Sequence, residues 1–233
     1  MDRLNIFVGI DLKVEPVAYA VFCQSIIEKA SIPVSFTPLA LNTLKGYTET
    51  HTDASNSFIY SRFLVPHLMN YEGWAIWFDG DMICNTDISE ILDYIDDTKA
   101  VVVVKHDYKT KHPVKYLGAK NDDYPRKNWS SVILWNCSHP ANKQLTPELV
   151  MQSTGSYLHR FSWLDDNMIG ELPIEWNYLI GEYEYNSDIK LAHFTLGTCC
   201  FEDYQSCDYS REWWQTYLNM IYPLTGISRN SSL

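Results

Sequence analysis

Asp79 and Asp81 flank a single glycine, Gly80, and follow directly on an uncharged run, Trp74–Phe78. Two carboxylates spaced by one small residue can converge on one cation where the chain leaves a sheet, and glycine relaxes the backbone between them. Oxygen ligands of this kind suit a hard ion, Mg²⁺ or Mn²⁺. The same triplet is also ordinary turn chemistry. Its place after a buried strand favours the metal, because two unpaired carboxylates beside apolar surface are costly. A second set is His193-Phe194-Thr195-Leu196-Gly197. A neutral imidazole at the end of a strand can serve as a third ligand, and the glycine would let backbone approach a phosphate. A lone strand histidine is otherwise a core or surface residue, and it is the pairing with the acidic motif that singles this one out. A third set is Asp165-Asp166-Asn167, followed by Leu172-Pro173-Ile174-Glu175-Trp176-Asn177. Its carboxylates suit sugar hydroxyls or a positive charge developing at an anomeric carbon. They equally suit a helix N-terminus, where the dipole favours Asp.

The elements that must position these residues alternate between strand and helix. Leu4–Ile10, Val34–Leu39, Trp74–Phe78, Ala100–Lys105, Ser131–Trp135 and Lys190–Thr195 read as strands, with Pro38 closing the second early. Helices are expected over Pro16–Lys29, Asn56–Met69 with a break near Pro66, Asp87–Ile95 capped by Thr86, from Pro147 behind Thr146, and over Ser210–Ile221, with a frayed tail after Thr225. Such alternation predicts an α/β fold with a mixed, mostly parallel central sheet flanked by helices. Ligands then sit beyond the carboxyl ends of strands, which is where Asp79 stands.

Composition narrows the function. Lys and Arg total 18 against 29 Asp and Glu, a formal charge of −11. With no basic stripe to neutralise phosphates, nucleic acid is a poor partner. An anionic substrate would need local compensation, which a divalent cation supplies. No apolar run approaches the roughly 20 residues of a membrane span, and no signal peptide opens the chain. The expectation is a cytoplasmic protein without a transmembrane segment, its six cysteines reduced. They lack the paired spacing of a zinc site.

Several segments together resemble the retaining, family-8-like glycosyltransferases of the GT-A fold. They are IFVGID, YSRFLVP, WAIWFDGDM, ICNTDISEIL, NWSSVILWNC, WLDDNMIGELPIEWN and HFTLG, in that order and across most of the chain. The resemblance implies one GT-A domain over 1–233, with a Rossmann-like nucleotide-binding half (1–100) and a donor-sugar and acceptor half (101–225). It implies a nucleoside-diphosphate sugar donor, UDP-linked in the family, and a glycan, lipid-linked or protein acceptor. Asp79, Asp81 and His193 would hold Mn²⁺ or Mg²⁺. Gly9, Ile10 and Asp11 would meet the nucleoside, with Gly80 beside them. Arg62 would support the nucleotide or its phosphates, and Gly197 the phosphates. Ser130 and Ser131 would lie near the donor sugar, and Asp165 and Asp166 would face the reaction centre. Where the family commonly has Asn-x-Gly, this chain has Trp129-Ser130-Ser131. The family's lysine after the late glycine is absent, with Cys199 and Cys200 nearby, and Lys105 or Lys127 would replace it. A nucleotidyltransferase ranks lower, because the loop Gly9–Glu15 has one glycine and one lysine. A non-catalytic sugar- or nucleotide-binding protein on the same fold is the other alternative.

Overall fold

The structure is a computed structural model that describes residues 3–51 and 58–222. Its described strands are β1 (Leu4–Gly9), β2 (Val34–Leu39), β3 (Trp74–Phe78), β4 (Met82–Cys84), β5 (Val101–Val104), β6 (Val132–Asn136), β7 (Ile169–Leu172), β8 (Tyr178–Leu179) and β9 (Leu191–His193). The helices are α1 (Pro16–Ile27), α2 (Val65–Leu68), α3 (Pro147–Gln152), α4 (Gly155–His159) and α5 (Ser210–Ile221). The larger sheet runs β2-β1-β3-β6-β5-β7. Its pairs are parallel except where β6 runs against β3 and β5. A smaller sheet, β4-β9-β8, stands beside it.

Strand residues alternate between two cores, as a period of two requires. Leu4, Ile6, Val8, Ile76, Phe78, Val102, Val104 and Leu134 share one face with Phe22 and Ile26 of α1. Phe7, Ala75, Trp77, Val101, Val103, Ile133 and Trp135 share the other with Phe63 and Phe161. Both faces are covered, which is why WAIWF and VVVV contain no polar residue. The small sheet buries Ile83 and Ala192 against Trp213 of α5.

Several local expectations need correction. Pro38 does not end β2, which pairs with β1 through Leu39. β2 is an edge strand, where a missing N–H is tolerated. The segment after Thr86 is a 3-10 helix over Ile88–Tyr94, and its cap is Asp87, which accepts from the Ser89 N–H at 3.0 Å. The Thr86 hydroxyl instead donates to Glu90. Within the segment expected as a helix over 56–69 with a break near Pro66, Ser61–Leu64 is 3-10 and Pro66 lies in the first turn of α2, where proline fits. Residues 56–57 of that segment, and the tail after Thr225, lie outside the described residues. Thr146 does cap α3, accepting from the Leu149 N–H at 3.2 Å.

Candidate metal and nucleotide site

Asp79 is the first residue beyond the buried β3, and its N–H donates to the Ser131 carbonyl at 3.0 Å. Gly80 makes the bend that follows. A Cβ there would lie 2.4 Å from the Gly9 carbonyl oxygen, so the approach of β1 to this bend requires glycine. The chain then enters β4, which pairs antiparallel with β9 in the register Met82↔His193. That register sets Asp81 beside the end of β9, and the Phe194 N–H donates to the Asp81 carbonyl at 2.9 Å. Residues 112 positions apart in sequence thus meet through one pair of short strands.

Asp79, Asp81 and His193 each offer a ligand atom, and these atoms lie within 4.8 Å of one another. Ligands about 2.0–2.1 Å from an octahedral Mg²⁺ would be roughly 3–4 Å apart, so the group is close to the spacing one ion needs. The His193 ring is oriented from behind. Its Nδ1 is 2.8 Å from Asn177 Oδ1, while Asn177 Nδ2 donates to the Asn128 carbonyl at 3.1 Å. That second bond fixes the amide with its oxygen toward the imidazole. Nδ1 therefore carries a proton, and Nε2 faces Asp81 Oδ1, 3.3 Å away. A carboxylate oxygen and a ring nitrogen facing each other at that distance share either a proton or a cation. Asp81 Oδ1 is also buried without a hydrogen-bond partner. The donor set therefore fits a divalent cation.

The charge balance agrees. Burial pushes the Asp79 carboxyl up, against the pull of Arg62, and Asp81 adds repulsion. Burial also opposes ionisation of Asp81, but His193, together with a backbone hydrogen bond and Lys115, brings the carboxyl below its usual range. Glu15 is pushed up to about 8, by burial first and then by Asp81, and it accepts from the Thr198 hydroxyl at 2.7 Å. The site thus gathers more carboxylates than its cations offset.

Arg62 is buried and committed to the protein. Its Nη2 is 2.9 Å from Asp79 Oδ1, Nη1 donates to the Ser130 carbonyl at 2.7 Å, and Nε donates to the Ile59 carbonyl at 2.8 Å. Its guanidinium stacks on Trp77 at 5.2 Å. Arg62, Ser130 and Ser131 line one solvent-open cleft with the triad, its cavity about 70 Å³. Gly9, Ile10, Asp11 and Gly80 line a narrower crevice that joins the cleft at Asp81. Asp11 is turned partly inward, accepting from the Lys13 N–H at 2.9 Å. Gly197 stands behind the cleft, packed on Tyr204 and Tyr116.

Asp165 and Asp166 are not brought into the cleft. They precede β7, whose first residue pairs with the first residue of β5, at the opposite end of those strands from Val104 and Leu172. Asp166 is exposed and pairs with Arg126 at 2.5 Å. Neither Lys105 nor Lys127 lines the cleft. Lys127 is buried against Asn121, and Lys105 lies over Trp129. The lysine that does line it is Lys115, together with Tyr116, Asn128 and His159. None of these four was legible as a site residue, because each comes from an irregular connection or a helix end. His159 is held neutral by burial first and then by Arg62, with Nδ1 2.7 Å from Ser130 Oγ.

No protein-family model matches the chain. It is 44% identical over 218 residues to Protein CDI of Arabidopsis thaliana, a match covering 90% of this chain and 84% of that protein. The chain belongs to the Protein CDI family. Among solved structures, this CDI-family chain is similar to the apo bifunctional glycosyltransferase WbbM, with a TM-score of 0.67 and 15% identity over 94% of this chain. It spans half of the WbbM chain. The apo form of the glycosyltransferase GlyE from Streptococcus pneumoniae gives 0.61 at 11% identity, covering 94% of this chain and 61% of that one. The galactosyltransferase LgtC, solved with donor and acceptor sugar analogues, gives 0.57 at 11% identity, covering 91% and 95%. At these identities the likeness establishes the fold, and the CDI-family fold is of the GT-A type. Among the described residues no helix is long and apolar enough to cross a membrane.

Proposed function

We propose that this chain is a metal-dependent glycosyltransferase that moves a sugar from a nucleoside-diphosphate donor, UDP-linked, to a hydroxyl acceptor with retention of configuration. The observation that carries the reading is the convergence of ligand atoms from Asp79, Asp81 and His193 within 4.8 Å of one another at the end of β3. The GT-A likeness to glycosyltransferases supports it. Asp79, Asp81 and His193 would hold Mn²⁺ or Mg²⁺, which when bound supplies positive charge to the diphosphate leaving group. Gly9, Ile10 and Asp11 form the nucleoside crevice. Arg62 positions Asp79 and Ser130 rather than the nucleotide, since its donors already serve those groups. Lys115 is the cleft's candidate phosphate partner. Residues 1–100 carry the nucleotide and 101–225 the sugar and acceptor, within one cytoplasmic GT-A domain.

Asn177 gives this reading a sensitive test. Removing it frees His193 to rotate and to change tautomer. Asn177→Ala is expected to weaken Mn²⁺ binding about 10–100-fold, read by electron paramagnetic resonance of free Mn²⁺. An unchanged affinity would remove Asn177 from the site. The function itself is tested by screening nucleoside-diphosphate sugars for slow hydrolysis. At least one UDP-sugar is expected to be cleaved with Mn²⁺ and spared with a chelator. Cleavage of none, despite metal and nucleotide binding, would favour a non-catalytic binding protein. Asp165 and Asp166 stand outside the cleft, so their assignment to the reaction centre rests on the sequence resemblance alone. The exposed Asp166–Arg126 pair is worth about 0–1 kcal/mol, so Asp166→Asn should barely move the melting temperature. A tenfold loss of hydrolysis rate in that variant would place Asp166 in the chemistry, and an unchanged rate would exclude it.

A further inference from the structure

A second groove of about 440 Å³ opens beside the cleft between Val114–Gly118 and Phe201–Tyr204. Lys115 and Tyr116 line both, so the groove adjoins the cleft. The groove is built rather than incidental. Val114 bridges Lys120, closing a tight loop in which Leu117 and Gly118 take φ of 54° and 73°. The Tyr116 N–H donates to the Leu196 carbonyl at 2.8 Å and so ties that loop to the segment after β9. Gly197, at φ 151°, has the Tyr204 ring 2.6 Å and the Tyr116 side chain 3.1 Å from where a Cβ would be, which brings both aromatics together. Tyr116 and Phe201 stack at 4.8 Å.

The lining combines apolar faces with acceptors. Leu117 is 77% exposed and Val114 54% exposed, beside the aromatic rings. Glu202 and Asp203 stand at the rim, exposed, and make no ion pair among the described residues. A few polar groups around apolar and aromatic surface is the pattern of a small-ligand site. Carboxylates that accept hydrogen bonds, next to the exposed apolar surface of Val114 and Leu117 and the partly exposed Phe201 and Tyr204, match a pyranose. An anionic ligand would be repelled by these two carboxylates and by the net charge of −11. A lipid chain would leave both carboxylates without a use.

We propose that this groove is the acceptor subsite and that its occupant is a neutral glycan. The proposal rests on the glycosyl-transfer reading. An acceptor seated here presents a hydroxyl past Lys115 toward the triad. Transfer exchanges the bond from the anomeric carbon to the diphosphate oxygen for one to the acceptor oxygen, and the hydroxyl proton leaves with the diphosphate.

Saturation-transfer NMR on the full chain tests this with maltose, cellobiose, lactose and octyl glucoside as probes. UDP with Mn²⁺ serves as a separate arm. At least one disaccharide is expected to bind in the millimolar range. The double variant Glu202→Gln/Asp203→Asn, which changes only exposed groups, should weaken it at least fivefold. Tyr204→Ala should weaken it further, and UDP affinity should stay within twofold in the double variant. Disaccharide binding that is absent while UDP binds, or that is equal in the double variant, overturns the groove and leaves the donor site standing. Octyl glucoside held through its alkyl chain, with no disaccharide bound, replaces the glycan with a lipid-like occupant and also overturns it. Failure of UDP with Mn²⁺ to bind would instead overturn the glycosyl-transfer reading.

Discussion

Asp81→Asn is expected to abolish divalent-cation binding and to lower transfer at least ~10³-fold while leaving the fold intact. Cation stabilisation of a leaving group is worth several kcal/mol, and about 4 kcal/mol corresponds to ~10³ in rate. The fold should survive because opposing terms meet at this residue. Asp81 raises the proton affinity of both Glu15 and Asp79, so neutralising it relieves repulsion. The same change removes the partner of His193 Nε2. An amide can still place a donor or an acceptor there, so no buried group is orphaned by the substitution. Calorimetric Mn²⁺ titration and a thermal melt, run on the same preparation, separate the two effects. Wild-type metal affinity in the variant would take Asp81 out of the site. A collapse of the melting temperature would make its role structural.

Arg62→Met should have the opposite profile, with a large loss of stability. Arg62 is 3% exposed, and its removal leaves Asp79 buried beside Trp77 without its cation and the Ser130 and Ile59 carbonyls without donors. Breaking a buried pair in this way costs about 3–5 kcal/mol. For a chain of this size that corresponds to a melting temperature roughly 6–20 °C lower. The loss should be partly recovered in Arg62→Met/Asp79→Asn, because the orphaned charge is gone. Metal binding should be lost in the double variant, which lacks the Asp79 carboxylate. No recovery would mean that Arg62 acts through packing on Trp77 rather than through Asp79. A single variant as stable as wild type would contradict the buried pair itself.

The parts of the fold that were legible in the sequence are those whose signal is local and long enough. β3 and α5 have the bounds expected of them, one as an uninterrupted apolar run and the other as a twelve-residue amphipathic helix. β4, β7 and β8 were not read, because they are short, lack the β-branched run that marks β5, and exist as strands only through partners far away in sequence. The site divides in the same way. Asp79 and Asp81 stand out because charge follows directly on a buried strand. Asn177 lay in view inside a quoted motif, but its task is set by the packing of the turn before β8 against His193, which no local pattern encodes. Asp165 and Asp166 show the converse. An Asp-Asp-Asn run reads the same whether it faces a cleft or, as here, solvent and Arg126. The Lys105 and Lys127 assignments failed for a similar reason. The sequence counts lysines but does not say that Lys115 is carried to the cleft on a loop pinned by the Leu196 carbonyl.

The most direct test is X-ray diffraction at the manganese absorption edge on crystals grown with Mn²⁺ and UDP. One anomalous peak is expected, bonded to carboxylate oxygens of Asp79 and Asp81 and to Nε2 of His193, with the UDP diphosphate as its remaining neighbour. Manganese bound elsewhere, or UDP seated without any anomalous signal at these three side chains, would contradict the assignment.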